Sequence, residues 1–105
     1  MSTENWVAVG DRAELDEGAM KGIELGDLQI AIYNFEGEFY ATDNICTHAF
    51  ALLTDGFLDG DVIECPLHGG CFKIKTGEGM GAPISEDIKT YPVRLVGDTI
   101  EINIG

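Results

Sequence analysis

Short apolar runs separated by glycine-containing turns follow one another along the chain. LQIAIYNF and EFYAT, within residues 28–42, are typical of two strands joined by a hairpin turn at Glu36-Gly37. VRLV and TIEINI form a second such pair around Gly97-Asp98. Shorter strands are predicted in WVAVG, GAMKGIEL and DVIECP, and a single helical turn in DRAELDEG. The pattern therefore predicts an all-β fold.

The length of the chain, 105 residues, corresponds to a single domain over residues 1–105. No apolar run approaches the roughly 20 residues needed to span a bilayer, so we expect no membrane partner. The N-terminal stretch MSTENWVAVGDRAELDEG lacks the basic and apolar regions of a signal peptide. We therefore expect a soluble, cytoplasmic protein.

The net charge is −13, from 19 acidic and 6 basic residues. Nucleic acid is not expected as a partner, because phosphate contacts need clustered Lys and Arg. The acidity serves solubility alone, or it also steers basic protein partners. Residues 49–72 favour steering, since they contain four carboxylates and no Lys or Arg: Asp55, Asp59, Asp61 and Glu64.

The chemically most informative stretch is CTHAFALLTDGFLDGDVIECPLH, residues 46–68. It holds both histidines and two of the three cysteines, as C-x-H, sixteen residues, and C-x-x-H. Glycines and Pro66 place both boxes in loops, which could converge at one end of a β scaffold. Without an export signal a disulfide framework is not expected, and metal binding is the better use for these cysteines.

Two kinds of metal centre remain compatible with these residues. A structural zinc site accepts two Cys and two His, but zinc fingers usually pair Cys with Cys and His with His. Here each pair is mixed. A Rieske [2Fe–2S] cluster, in which one iron takes two thiolates and the other two imidazoles, suits mixed pairs better.

At these boxes the chain resembles the Rieske family, and specifically the small ferredoxins of bacterial aromatic-ring-hydroxylating dioxygenase systems. The resemblance continues through FYATDNICTH, DGFLDGDVIECPLHG and PISEDIKTYPVRLVGDTIEI, nearly the whole chain. It implies small antiparallel sheets with a loop-built cluster-binding subdomain at about residues 43–83. It also implies one [2Fe–2S] cluster, with Cys46 and Cys65 on one iron and His48 and His68 on the other.

The function implied is one-electron transfer from an NAD(P)H-dependent ferredoxin reductase to a terminal oxygenase, by a monomeric carrier that is not itself an enzyme. The chain has neither further histidines for a mononuclear iron nor a dinucleotide-binding G-x-G-x-x-G motif. Two alternatives stay open: a ferredoxin of a diiron aromatic monooxygenase, and a metal-stabilised structural or redox-sensing module without electron transfer.

Three further positions near the second box modify this expectation. Respiratory-chain Rieske proteins have a Ser and a Tyr where this chain has Gly70 and Phe72. Hydroxyl hydrogen bonds to sulfur raise the reduction potential, so their absence predicts a value near the low end of the Rieske range, about −150 mV. Cys71 matches no ligand position and is expected to be a small, partly buried residue.

Overall fold

The structure is a computed structural model that describes residues 4–47 and 50–105. Within these ranges the chain forms ten strands in three antiparallel sheets, with strand orders β1-β10-β9, β2-β3-β4-β8 and β5-β6-β7. The strands are β1 Trp6–Asp11, β2 Met20–Leu25, β3 Leu28–Phe35, β4 Glu38–Asp43, β5 Phe57–Asp59, β6 Val62–Glu64, β7 Cys71–Lys73, β8 Thr90–Tyr91, β9 Val93–Val96 and β10 Thr99–Asn103. The all-β prediction is confirmed.

Both predicted hairpins form where the turn residues placed them. Glu36 and Gly37, between β3 and β4, have φ values of 55° and 82°. Gly97, between β9 and β10, has φ 62°. A two-residue turn with both φ values positive matches the twist of the flanking strands, and glycine adopts such values without a Cβ clash.

Strand β3 separates two hydrophobic cores. Ala31 and Tyr33 belong to one core, whereas Ile30 and Ile32 point to the opposite face and belong to the other. All four are almost fully buried. Because successive strand residues face opposite sides, a run that is apolar at every position is buried on both faces.

Three of the strands, β5, β7 and β8, were not predicted. Each has two or three residues, too few to show an alternating pattern. The predicted helical turn is a 3₁₀ turn at Arg12–Glu14, started by a capping box between Asp11 and Glu14. In the described part of the chain, no helix is both long and apolar enough to cross a membrane.

Candidate metal centre

The first of the two Cys/His boxes lies in a loop that the backbone closes like a small hairpin. Ile45 and Leu52 form an isolated antiparallel bridge, and the Cys46 N–H donates to Ala51 O at 2.9 Å. The Leu53 N–H donates to Asn44 O at 2.7 Å. Cys46 is only 4% exposed. The loop therefore turns this cysteine towards the protein interior.

A buried side chain fixes the base of this first loop. Asn44, 2% exposed, donates from Nδ2 to Thr54 Oγ1 and accepts the Thr54 N–H at Oδ1, both at 3.0 Å. Its own N–H donates to Gln29 O at 2.8 Å, which ties the loop to the start of β3. The Asn44 side chain thus connects the two ends of the loop, which lie ten residues apart in the sequence.

The second box forms a tight turn between β6 and β7. The Cys65 N–H donates to Gly70 O at 2.7 Å, closing the turn. His68 and Gly69 have φ values of 65° and 70°. A non-glycine residue in this left-handed region is uncommon, although His is enriched there. The turn buries Cys65 completely and exposes His68 to solvent.

The two loops bring the thiols of Cys46 and Cys65 together, within hydrogen-bonding distance of each other and without a disulfide between them. Burial raises the pKa of the Cys65 thiol, a hydrogen bond from the Leu67 N–H lowers it, and the adjacent Cys46 thiol raises it. Two adjacent buried thiolates repel each other unless a positive charge lies between them. A bound metal supplies that charge and deprotonates coordinating thiols.

A third loop, residues 79–89, packs beside the first. Thr47 Oγ1 donates to Glu86 O at 3.2 Å, and the Gly79 N–H donates to Asp87 Oδ1 at 3.0 Å. Ile84 and Ile88 belong to the same core as the two cysteines. This loop therefore contributes two side chains to the core that contains the thiol pair.

Of the four predicted ligands, the structure brings together Cys46 and Cys65 and places His68 on the same turn as Cys65. His48 lies outside the described residues. Within residues 4–47 and 50–105, no three His, Cys, Asp or Glu side chains form a group that could hold a metal ion.

Residues 5–92 match the family model described as the Rieske [2Fe-2S] domain. The chain belongs to the Rieske [2Fe-2S] domain family. Its cofactor is a Rieske-type [2Fe–2S] cluster, and the residues present fit that group, because two buried thiols lie side by side where one iron requires two thiolates. Such a cluster, when bound, accepts and releases one electron at a time.

Relatives within the Rieske family cover almost the full chain. The ferredoxin component of the naphthalene 1,2-dioxygenase system of Pseudomonas aeruginosa is 45% identical over 102 residues, 97% of this chain and 98% of that protein. The solved ferredoxin of Sphingomonas yanoikuyae B1 is 39% identical, with a TM-score of 0.90, and covers 96% of this chain and 100% of its own.

A third similarity is to a chain in a solved complex of reduced oxygenase and oxidized ferredoxin from carbazole 1,9a-dioxygenase. That chain is 33% identical, with a TM-score of 0.89, over 93% of this chain and 92% of its own. The expected resemblance to ferredoxins of dioxygenase systems and the expected Rieske fold are therefore confirmed.

The two positions that lack a hydroxyl in this chain, Gly70 and Phe72, flank Cys71 after the second box. Phe72 is fully buried in the core that contains both cysteines, and Gly70 is also buried. Cys71 is half-buried, as expected, and its thiol donates to Gly69 O at 3.5 Å. Burial first, and the charge of Glu64 second, raise the pKa of the Cys71 thiol, which makes it a poor thiolate ligand.

Proposed function

We propose that the chain is a one-electron carrier that receives electrons from an NAD(P)H-dependent ferredoxin reductase and delivers them to the terminal oxygenase of an aromatic-ring-hydroxylating dioxygenase. The convergence of two buried thiols, Cys46 and Cys65, from two loops carries this proposal. Two similarities support it: a relative that is the ferredoxin component of a dioxygenase system, and a similar chain in a solved oxygenase–ferredoxin complex. The chain is an electron-transfer component rather than an enzyme.

The ligand set of the proposal is Cys46 and Cys65 on one iron and His48 and His68 on the other. Burial of Cys46 and Cys65 keeps water from the sulfur side, which protects thiolate ligands. Exposure of His68 gives a partner protein access to the imidazole side. In this arrangement the cysteine ligands lie inside the protein, and the ligand His68 lies at its surface.

The remaining parts of the proposal concern the state of the protein in the cell. It acts in the cytoplasm as a monomer, away from membranes and nucleic acid, and residues 1–105 form one domain. Residues of about 43–83 form the cluster-binding subdomain, which includes the β5-β6-β7 sheet. The net charge of −13 supports the exclusion of nucleic acid.

Iron and sulfide content with ligand variants tests the ligand set. Protein from iron-replete cells is expected to contain two irons and two acid-labile sulfides, and to give a rhombic EPR signal on reduction. Cys65→Ser and His68→Ala should lose that signal, whereas Cys71→Ser should keep it, since Cys71 lies outside the set. Stoichiometric zinc without labile sulfide would contradict the proposal.

Electron delivery is tested separately, with the terminal oxygenase of the naphthalene 1,2-dioxygenase system as the acceptor. Reduced ferredoxin should be reoxidised on mixing with the oxidised oxygenase, and NADH with a ferredoxin reductase should sustain turnover. A protein that holds its cluster but passes no electron to the oxygenase would instead be a redox sensor or a structural module.

A further inference from the structure

We propose that the outer surface of the first ligand loop is the docking surface for the terminal oxygenase, with Phe50 as its anchor. Ile45, Phe50 and Leu52 form this surface, which is referred to as the face. The inference rests on the proposed function, because it specifies how one of the two partners of the carrier binds.

The three side chains of this face are exposed to solvent. Phe50 is 99% exposed, and Ile45 and Leu52 are 43% and 38% exposed. Single exposed apolar residues are normal, but these three, with Ala51, line one depression of about 210 Å³. A fully exposed phenylalanine beside such a depression leaves its whole hydrophobic contribution available for binding.

The backbone beneath the face is held by hydrogen bonds. The Ile45–Leu52 bridge places these two side chains next to each other on the outside of the loop, while Cys46 and Leu53 point inward and are buried. The Asn44–Thr54 hydrogen bonds fix the base of the loop. A preorganised apolar surface binds with a small loss of conformational entropy.

The position and the charge of the face favour the oxygenase as its partner. The same loop carries Cys46, so a protein bound to the face lies close to the thiol pair. Asp55 ends this loop, Glu64 precedes Cys65, and residues 49–72 contain no Lys or Arg. Charge complementarity therefore favours a partner that presents an apolar patch bordered by basic residues. A net charge of −13 on each molecule opposes pairing of two copies through this face. A chain of this fold occurs in a solved complex with an oxygenase.

The test separates binding from electron transfer. With the naphthalene 1,2-dioxygenase oxygenase and a ferredoxin reductase, the KM for ferredoxin should rise about tenfold in Phe50→Ala, a loss typical of an interface anchor. The saturating rate, EPR signal and reduction potential should stay unchanged, because Phe50 is wholly exposed and supports no core. Phe50→Trp should largely retain the wild-type KM.

Val96→Ala is the matched control, since Val96 is 52% exposed but lies on the β9–β10 hairpin. It should leave KM unchanged. An unchanged KM in Phe50→Ala with active wild type would overturn the inference. So would a loss confined to reduction by the reductase, or wild-type dimers that Phe50→Ala converts to monomers. Wild type that delivers no electrons contradicts the proposed function instead.

Discussion

At the scale of single residues, the surroundings of the thiol pair set how easily the cluster is reduced. Phe72 lies in the core with Cys46 and Cys65 and has no hydroxyl, and Gly70 has no side chain. The Leu67 N–H donates a hydrogen bond to the Cys65 sulfur, and the Cys46 thiol lies within hydrogen-bonding distance of it. Each added donor would stabilise the more negative, reduced state.

Phe72→Tyr together with Gly70→Ser should therefore raise the reduction potential. One hydrogen bond worth about 1 kcal/mol corresponds to roughly 40 mV for a one-electron couple. Voltammetry of the purified protein measures the change. Phe39→Tyr is the control, because Phe39 packs against the other core and should leave the potential unchanged. A wild-type potential well above zero would show that the missing hydroxyls do not dominate.

At the scale of elements, the first ligand loop depends on a clamp between its two ends. Replacing Asn44 leaves the Thr54 N–H without the acceptor that it has at Asn44 Oδ1. The loss of a buried hydrogen-bond partner costs about 1–3 kcal/mol. Because the clamp closes only this loop, its loss should open the loop before it unfolds the rest of the protein.

Asn44→Ala is thus expected to release iron to a chelator faster than wild type, at temperatures where the sheets remain folded. Thr54→Ser keeps the hydroxyl and should behave like wild type. Asn34→Ala is the matched control: Asn34 is also buried, but its side chain bonds Leu15 O and the Gly37 N–H at the opposite end of β3. If Asn34→Ala accelerates release equally, global destabilisation explains the effect.

Elements that are specified by a few neighbouring residues could be predicted from the sequence. The Glu36-Gly37 and Gly97-Asp98 turns carry their own conformational preference, and the spacing of the Cys/His boxes predicted that Cys46 and Cys65 meet. Their assignment as ligands stays a prediction. The Asn44 clamp could not be predicted, because a polar residue before a loop has no particular signal until the fold brings Thr54 beside it.

At the scale of the whole molecule, the acidic segment 49–72 does not form a single patch beside the ligand loops. Asp55 ends the first loop and Glu64 precedes Cys65. Asp61, in contrast, influences the pKa of Tyr40 together with Glu36 and Glu38, so it lies near the β3–β4 turn. That turn is about 17 Å along the hairpin from Asp43, where the chain enters the first loop.

Electrostatic steering of the oxygenase should therefore depend most on Asp55 and Glu64. Electron transfer at subsaturating oxygenase should slow as salt rises from 0.1 M to 1 M, because the Debye length falls from about 10 Å to about 3 Å. Asp55→Asn and Glu64→Gln should slow it at low salt more than Asp61→Asn does. Stopped-flow rates that stay flat over this range would show that docking is apolar alone.

The burial of β3 on both faces has a consequence for how the protein unfolds. Ile30 and Ile32 support one core, while Ala31 and Tyr33 support the core that contains both cysteines. Neither core can be opened fully without exposing one side of the same strand. The amide protons of β3 should therefore exchange with solvent only through global unfolding, and cluster insertion should slow that exchange throughout both halves of the protein.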